Sequence, residues 1–150
     1  MTHLFNDPSE RTRFLKFATV GAIGTVVDFA IYNLLNIVFH IAPVISQAVS
    51  FSVAVVNNFL WNRHWTYPES RAKAAHHQMA QFGLVNVVGL IIRTPIIGYL
   101  ENPLGTLSER IGFQPATANV MGHNLALAIA IGIVMLWNYF INRYWTYNDV

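Results

Sequence analysis

The chain has 150 residues, of which 54% are hydrophobic and only 11% charged, with a formal net charge of +2 at pH 7 and no cysteine. An average soluble domain has about 25% charged residues, so these charges are too few to cover a small soluble protein. Without cysteine there is no disulfide or thiolate metal site, and we expect neither a metal nor a cofactor. The basic residues flank apolar runs instead of forming a basic arm, so we expect no nucleic-acid partner.

Four apolar runs divide the chain, and each approaches or exceeds the roughly 18–20 residues that cross a ~30 Å hydrocarbon core as a helix. They cover residues 17–41, 44–61, 82–100 and 116–141. Only helices and closed barrels satisfy their backbone hydrogen bonds in lipid, and these runs lack the alternation of barrel strands. The sequence therefore predicts an all-α polytopic membrane protein with four transmembrane helices. Turn-forming residues predict a longer outer loop at about 101–115.

Lys and Arg residues are distributed unevenly around these runs. Seven of the nine flank one side, namely Arg11, Arg13, Lys16, Arg63, Arg71, Lys73 and Arg143. The opposite side holds Arg110, and Arg93 lies inside the third run. Because cytoplasmic loops carry the excess of positive charge, we expect the N- and C-termini and residues 63–77 to be cytoplasmic.

A ten-residue tail occurs twice, as NFLWNRHWTY at 58–67 and NYFINRYWTY at 138–147. Six positions are identical, and both copies end a run that returns to the cytoplasmic side. Aligning the first run of each half, 17–41 with 82–100, pairs Gly24 with Gly89 and Asp28 with Arg93. The chain is therefore predicted to be a single domain built from two parallel two-helix repeats, at about 13–67 and 78–147.

Small residues recur at every fourth position in the second helix of each repeat. They are Ser46, Ser50 and Ala54, followed by Gly122, Ala126 and Ala130. That spacing places them on one face, where small side chains let helix backbones approach closely. Four helices offer little room for a polar path, so we expect a homo-oligomer, specifically a dimer, formed through these faces.

The repeated tail has two interpretations. Trp65 and Trp145 suit the membrane interface, where aromatic rings anchor helices and Arg side chains reach lipid head groups. The tails also contain two asparagine pairs spaced by four, Asn58 with Asn62 and Asn138 with Asn142. Such a pair lies on one helix face, where it could bridge helices or, with the neighbouring Arg63 or Arg143, hold a phosphate or a sugar.

Two charges, Asp28 and Arg93, lie inside apolar runs at similar depth, about 16 Å from the run start at 1.5 Å per residue. One interpretation is a buried ion pair, because intramembrane ionisable groups usually pair. In the other, Arg93 receives an anion while Asp28 holds Arg93 or a sugar hydroxyl. We expect the two charges to interact directly or to share one ligand. Pro95 should kink the third helix beside Arg93, and His123 could face the resulting pocket or bond across helices.

These features resemble the GtrA-like family of small bacterial membrane proteins. The resemblance covers nearly the whole chain and rests on RFLKFATVGAIGTVVDF at 13–29, SQAVSFSVAVVNNFLWNRHWTY at 46–67 and the second tail. Its most specific part is Phe-x-x-Asn-Arg/Lys-x-Trp-x-Phe/Tyr, which the second copy opens with Tyr139. The resemblance implies a multi-pass protein of the bacterial inner membrane. It would flip a polyprenyl-phosphate-linked monosaccharide for cell-surface polysaccharide or O-antigen modification.

The implied partners are that lipid-linked sugar and membrane lipid. The candidate ligands of its head group are Arg63, Arg143, Asn58, Asn62, Asn138, Asn142, Asp28, Arg93, Trp65, Trp145, Lys16 and His123. One alternative is a non-transporting accessory subunit of a membrane glycosyltransferase. Another is a small multidrug/proton antiporter, which the strong charge bias disfavours, because such antiporters often insert in both orientations. We expect no enzyme, since the loops contain no paired carboxylates and no nucleophile–base set.

The orientation can be tested with single cysteines at Ser70 and Thr106 in this cysteine-free chain. We expect a membrane-impermeant thiol reagent to label Thr106→Cys on intact cells and Ser70→Cys only after permeabilisation, because the charge bias places them on opposite sides. Labelling of both from outside would contradict the predicted orientation.

Overall fold

The computed structural model describes residues 7–148, and within that range the chain forms helices and turns without any strand. The four long helices are α1 (Pro8–Asn33), α2 (Pro43–Trp61), α3 (Ala75–Arg110) and α4 (Pro115–Ile141). With their terminal turns, all four are long and apolar enough to cross a membrane. This confirms the predicted all-α fold with four such helices. Large apolar side chains such as Phe29 and Val44 are exposed on them, as expected for surfaces that face lipid.

Local sequence explains where the helices begin. Three of them start at a proline. The first N–H groups of a helix have no partner within the helix, so a proline at this position loses no hydrogen bond. Asp7 caps α1, since its side chain accepts a 2.8 Å hydrogen bond from the backbone N–H of Ser9. A 3₁₀ helix, Pro68–Ala72, follows the first tail. Ser70 within it is fully buried, so the exposed Ala74 is a better position than Ser70 for the topology label.

Both tail motifs end in the same widened turn. The π-helical segments Asn62–Thr66 and Asn142–Thr146 directly continue α2 and α4. The N–H of Tyr67 donates to the carbonyl of Asn62 at 2.8 Å, and Tyr147 donates to Asn142 at the same distance. The two copies therefore share a backbone conformation as well as a sequence.

The predicted outer loop at about 101–115 is wrong over most of its length. Helix α3 continues through Pro95 and Pro103 to Arg110, leaving only residues 111–114 as the connection to α4. Gly112 in that connection has φ +103°, the left-handed conformation that glycine adopts without strain. The helix persists because Gly105 packs against α4, and this tertiary contact outweighs the local turn signal of Asn102-Pro103.

The chain divides into two compact units, Met1–Gly83 with Asn142–Val150, and Leu84–Ile141. In the first unit α1 packs along α2, and a Cβ added to Gly24 would overlap the side chain of Asn58. In the second unit Gly89 lies against Asn138, and a Cβ added to Gly89 would lie 3.1 Å from the Oδ1 of that asparagine. These are the residues that the repeat alignment pairs, so the same Gly–Asn contact occurs in each unit.

The small-residue faces are buried within the single chain. Ser46, Ser50, Ala126 and Ala130 have no exposed surface, and Ala54 has 6%. The helix-packing interpretation of these stripes is therefore the one that the structure supports. A dimer stays a prediction, but these faces are not available for it.

The contact between Gly122 and α3 should be sensitive to a single methyl group. A Cβ at Gly122 would lie 2.6 Å from the carbonyl oxygen of Glu101, whereas a Cβ at Gly132 on the same helix would meet nothing within 4 Å. We expect Gly122→Ala to lower the free energy of unfolding by about 1–3 kcal/mol, because the helix backbones must separate. Gly132→Ala is the matched control and should be neutral or slightly stabilising in the same detergent unfolding experiment. Equal stability of the two variants would contradict this close contact.

Candidate functional site

The two tail motifs meet in the first unit through their last residues. The rings of Tyr67 and Tyr147 stack with centroids 4.4 Å apart and planes 17° from parallel, and both side chains are fully buried. Phe82 packs beside Tyr147, with ring centroids 6.5 Å apart. The tyrosines are thus core residues of this unit, which goes beyond the role of interfacial anchors.

The tryptophans of the tails behave as the anchor interpretation predicts. Trp65 is 39% exposed and Trp145 41% exposed, while the ring of Trp61 packs edge-on against Trp65. Lys16 is engaged here, since its Nζ lies 5.6 Å from the Trp65 ring centroid and donates to the Trp65 carbonyl at 3.3 Å. Exposed aromatic rings beside a cation are typical of a membrane–water boundary.

Arg143 is held by a carboxylate, Glu10, that the sequence pattern did not identify. Its Nη2 lies 2.9 Å from Glu10 Oε1 and its Nε lies 3.1 Å from Oε2, while its Nη1 donates to the Tyr147 carbonyl at 3.3 Å. Arg13 adds a third contact to the same carboxylate, 2.7 Å from Oε1. This two-pronged pair is mostly buried and joins the start of α1 to the second tail. Arg143 is therefore paired with a carboxylate within the protein.

Arg63 occupies the equivalent position in the first tail but has different partners. Its side chain is 8% exposed, and its Nη2 donates to the carbonyls of Arg71 at 3.3 Å and Lys73 at 2.9 Å. Its Nη1 is buried without a hydrogen-bond partner. In the described part of this unit, no carboxylate lies within ion-pair distance of Arg63. A buried cation without a counter-charge is costly, so Arg63 is the uncompensated arginine of the two.

Other polar groups with unused hydrogen-bonding capacity are buried in the same unit. The atoms without a partner include Asn62 Oδ1, Thr66 Oγ1, Gln78 Oε1 and the Tyr147 hydroxyl. Gln78 connects the second tail to the segment that follows the first, because its Nε2 donates to the carbonyls of Ser70 at 3.1 Å and Thr146 at 3.4 Å. Neither this glutamine nor Glu10 belongs to a repeated motif, which is why the sequence pattern did not indicate them.

The Tyr147 hydroxyl is a proton donor at neutral pH. Burial raises the pKa of Tyr147 above its usual range, and the nearby positive charge of Arg63 only partly opposes that effect. The neutral hydroxyl therefore keeps its proton. Together, Arg63 Nη1 and the Tyr147 hydroxyl give this unit two unpartnered donors near a positive charge, a combination that suits an anionic oxygen.

Two of the four tail asparagines lie against a glycine of a neighbouring helix, and the other two make hydrogen bonds within their own helical segment. Asn58 lies against Gly24, and its Oδ1 is buried without a hydrogen-bond partner. Asn62 Nδ2 donates to the Asn58 carbonyl at 2.9 Å, and Asn142 Oδ1 accepts from the Thr146 hydroxyl at 2.8 Å. Asn138 lies against Gly89 in the second unit. Binding of a head group by these four residues stays a prediction.

The remaining candidates lie on the membrane helices. Asp28, in the first unit, has its Oδ1 buried without a partner, and Arg93 in the second unit is half-buried. Within its own unit, neither charge has a hydrogen-bond or ion-pair partner among the described residues. Their direct interaction, or a shared ligand, stays a prediction. His123 bonds across helices, with its Nδ1 3.0 Å from Glu101 Oε2 on α3.

Comparison with known proteins gives two matches. Residues 16–147 match the family model described as GtrA/DPMS, transmembrane domain, and this segment includes both tails. The chain is also 29% identical over 134 residues to "Uncharacterized membrane protein YngA" of Bacillus subtilis (strain 168). That alignment covers 89% of this chain and 78% of the relative. Glu10, which binds Arg143, lies before the segment that the family model matches.

The Glu10–Arg143 pair should be coupled in stability. We expect Glu10→Gln and Arg143→Gln each to lower the free energy of unfolding. The free energy lost in the double variant should be smaller than the sum of the two single losses by about 0.5–3 kcal/mol. Glu10→Gln leaves the mostly buried Arg143 without its counter-charge, whereas Arg143→Gln leaves Glu10 with Arg13 as its remaining cation. Chemical unfolding in detergent measures all three variants. Arg11→Gln, at an exposed position of α1, is the control, and strict additivity of the two losses would mean that the pair is not coupled.

Proposed function

Because the chain belongs to the GtrA/DPMS transmembrane-domain family, we propose that it translocates a polyprenyl-phosphate-linked monosaccharide across the bacterial inner membrane. The family match and the four long apolar helices make it a multi-pass membrane protein, and the family supports a role in lipid-linked sugar translocation. The translocated sugar would serve cell-surface polysaccharide or O-antigen modification. Such a carrier needs a cation for the phosphate, since an unpaired charge in hydrocarbon costs several kcal/mol.

The state of Arg63 is the observation that carries this proposal. Its guanidinium is buried, has no carboxylate partner in the described part of its unit, and keeps Nη1 unpartnered. A phosphate would supply the missing negative charge and could accept hydrogen bonds from Nη1 and from the Tyr147 hydroxyl. Arg143 has no such capacity, because Glu10 already neutralises it. We therefore assign phosphate binding to the first tail and a stabilising role to the second.

The loop after the first tail controls access to Arg63. The carbonyls of Arg71 and Lys73 hold Nη2 in place, while the guanidinium as a whole is almost covered. Because Nη1 is buried as well, a head group would reach it only after part of the surrounding structure moves aside. The charge bias predicts a cytoplasmic position for the loop, on the side where a lipid-linked sugar is loaded after its synthesis. We propose that displacement of the loop accompanies loading.

Lysine substitutions separate the roles of the two arginines. We expect Arg63→Lys to weaken binding of a polyprenyl phosphate roughly 10-fold or more, because lysine lacks the planar fork of donors that arginine offers to phosphate. Arg143→Lys should keep the affinity and lose stability instead. Isothermal titration of the purified variants with decaprenyl phosphate measures both affinities. Wild-type affinity in Arg63→Lys would mean that the tails only seat the helices at the membrane surface.

Proteoliposomes containing only this protein and a lipid-linked sugar would then test translocation itself. A translocase should expose the sugar on the far leaflet, and Arg63→Lys should slow its appearance. An accessory subunit of a glycosyltransferase would bind without moving the sugar, so binding without translocation would favour that alternative.

A further inference from the structure

In the second unit, α3 and α4 approach closely at two places. Near one end, Gly89 lies against Val134 and Asn138. Near the other, Gly122 meets the backbone of Gly105. Gly89 and Gly105 are 16 residues apart on α3, which is about 24 Å along the helix. The interval between these two contacts contains larger side chains such as Ile96 and Tyr99.

An open apolar groove lies in that interval. It has a volume of about 480 Å³ and is lined by Pro95, Ile96, Tyr99 and Leu100 of α3 and by Ile133 of α4. Ligand pockets in proteins commonly measure about 300–1,000 Å³, so the groove could hold part of a lipid chain. Tyr99, one of the lining residues, is 81% exposed, so the groove is accessible from outside the helix pair at this residue.

Arg93 lies one helical turn before the groove. It precedes Ile96 by three residues and Leu100 by seven, and this spacing places the three side chains on one face of α3. Arg93 has no hydrogen-bond or ion-pair partner among the described residues of its unit. Helical side chains lean towards the helix N-terminus, so its guanidinium lies on the predicted cytoplasmic side of the groove. An unpaired cation next to an apolar groove complements an anionic head group attached to an apolar chain.

We propose that this groove binds the isoprenoid chain of a polyprenyl phosphate while Arg93 contacts its phosphate. The inference rests on the proposed function and names the part of the protein that recognises the chain. The depth of Arg93 in the membrane favours a polyprenyl phosphate over a bilayer phospholipid as the occupant of the groove. Arg93 lies about 16 Å into its apolar run, near the middle of a ~30 Å core, whereas a phospholipid head group rests at the interface. A phosphate in transit has to pass this depth, and its chain then extends towards the outer half of the membrane.

Photo-crosslinking tests the site directly in the full-length protein in nanodiscs. The probe is an isoprenyl phosphate of several isoprene units with a photoreactive group in its chain, and crosslinked peptides are mapped by mass spectrometry. We expect labelling at residues 95–100 and at Ile133. Excess decaprenyl phosphate should suppress it, and the same amount of phosphatidylglycerol should not. Suppression by phosphatidylglycerol would mean that the groove holds bilayer lipid, and labelling elsewhere on the chain would also overturn the proposal.

Matched variants test the two parts of the site. Arg93→Gln should reduce labelling about tenfold, since a charge-assisted contact is lost, whereas Arg110→Gln at the end of the same helix should not. Ile133→Trp should fill the groove and block labelling, whereas Ile129→Trp, one turn away and similarly exposed, should not. Equal effects within either pair of variants would overturn the proposal.

The binding of decaprenyl phosphate separates this inference from the proposed function. If the groove is not labelled but the protein still binds decaprenyl phosphate through Arg63, only the groove assignment fails. If the protein binds no polyprenyl phosphate at all, the proposed function fails with it.

Discussion

The stacked, fully buried rings of Tyr67 and Tyr147 hold the two tail motifs together, and the polar arrangement around them depends on this contact. Each tyrosine follows a π-helical turn, so the two copies present the same residue to each other from the same backbone conformation. Gln78 bonds both the second tail, at Thr146, and the segment after the first tail, at Ser70. Burying the two aromatic rings stabilises the unit. The arginine of each tail is removed from water at the same time, so its charge has to be balanced by groups of the protein.

The two arginines are balanced in different ways, and this difference breaks the symmetry of the duplication. Glu10 meets Arg143 with two oxygens, whereas Arg63 finds only the carbonyl groups of its own loop. Carbonyl dipoles satisfy donors without cancelling a charge. A duplicated sequence can thus divide two tasks between its copies, with one arginine holding the fold together and the other left with capacity for a ligand. The compensating carboxylate comes from outside the segment matched to the family.

Hydropathy and spacing were sufficient to predict the four helices, the repeated tail and the packing role of the small-residue stripes, because these depend on short-range periodicity. The Glu10–Arg143 pair joins residues 133 positions apart, and no periodic signal connects them. The outer loop was predicted wrongly for a related reason. Asn102-Pro103 is a local turn signal, but Gly105 finds a distant partner in Gly122 that keeps the segment helical. Both points depend on contacts between residues far apart in the chain, which local patterns do not encode.

The 36 residues of α3 make it about 54 Å long, well beyond the ~30 Å of hydrocarbon that it crosses. Tilting by the usual 0–40° cannot absorb the excess, so helical backbone continues past the lipid at its ends. The segment after Leu100 continues as helix. Each residue of a helix adds a fixed rotation, so the orientation of every later side chain depends on the number of residues before it. One inserted residue would rotate the remainder by about 100° and turn Gly105 away from Gly122. An insertion between Leu100 and Gly105 would therefore disturb the helix contact, whereas one in the connection at 111–114 would leave the direction of Gly105 unchanged.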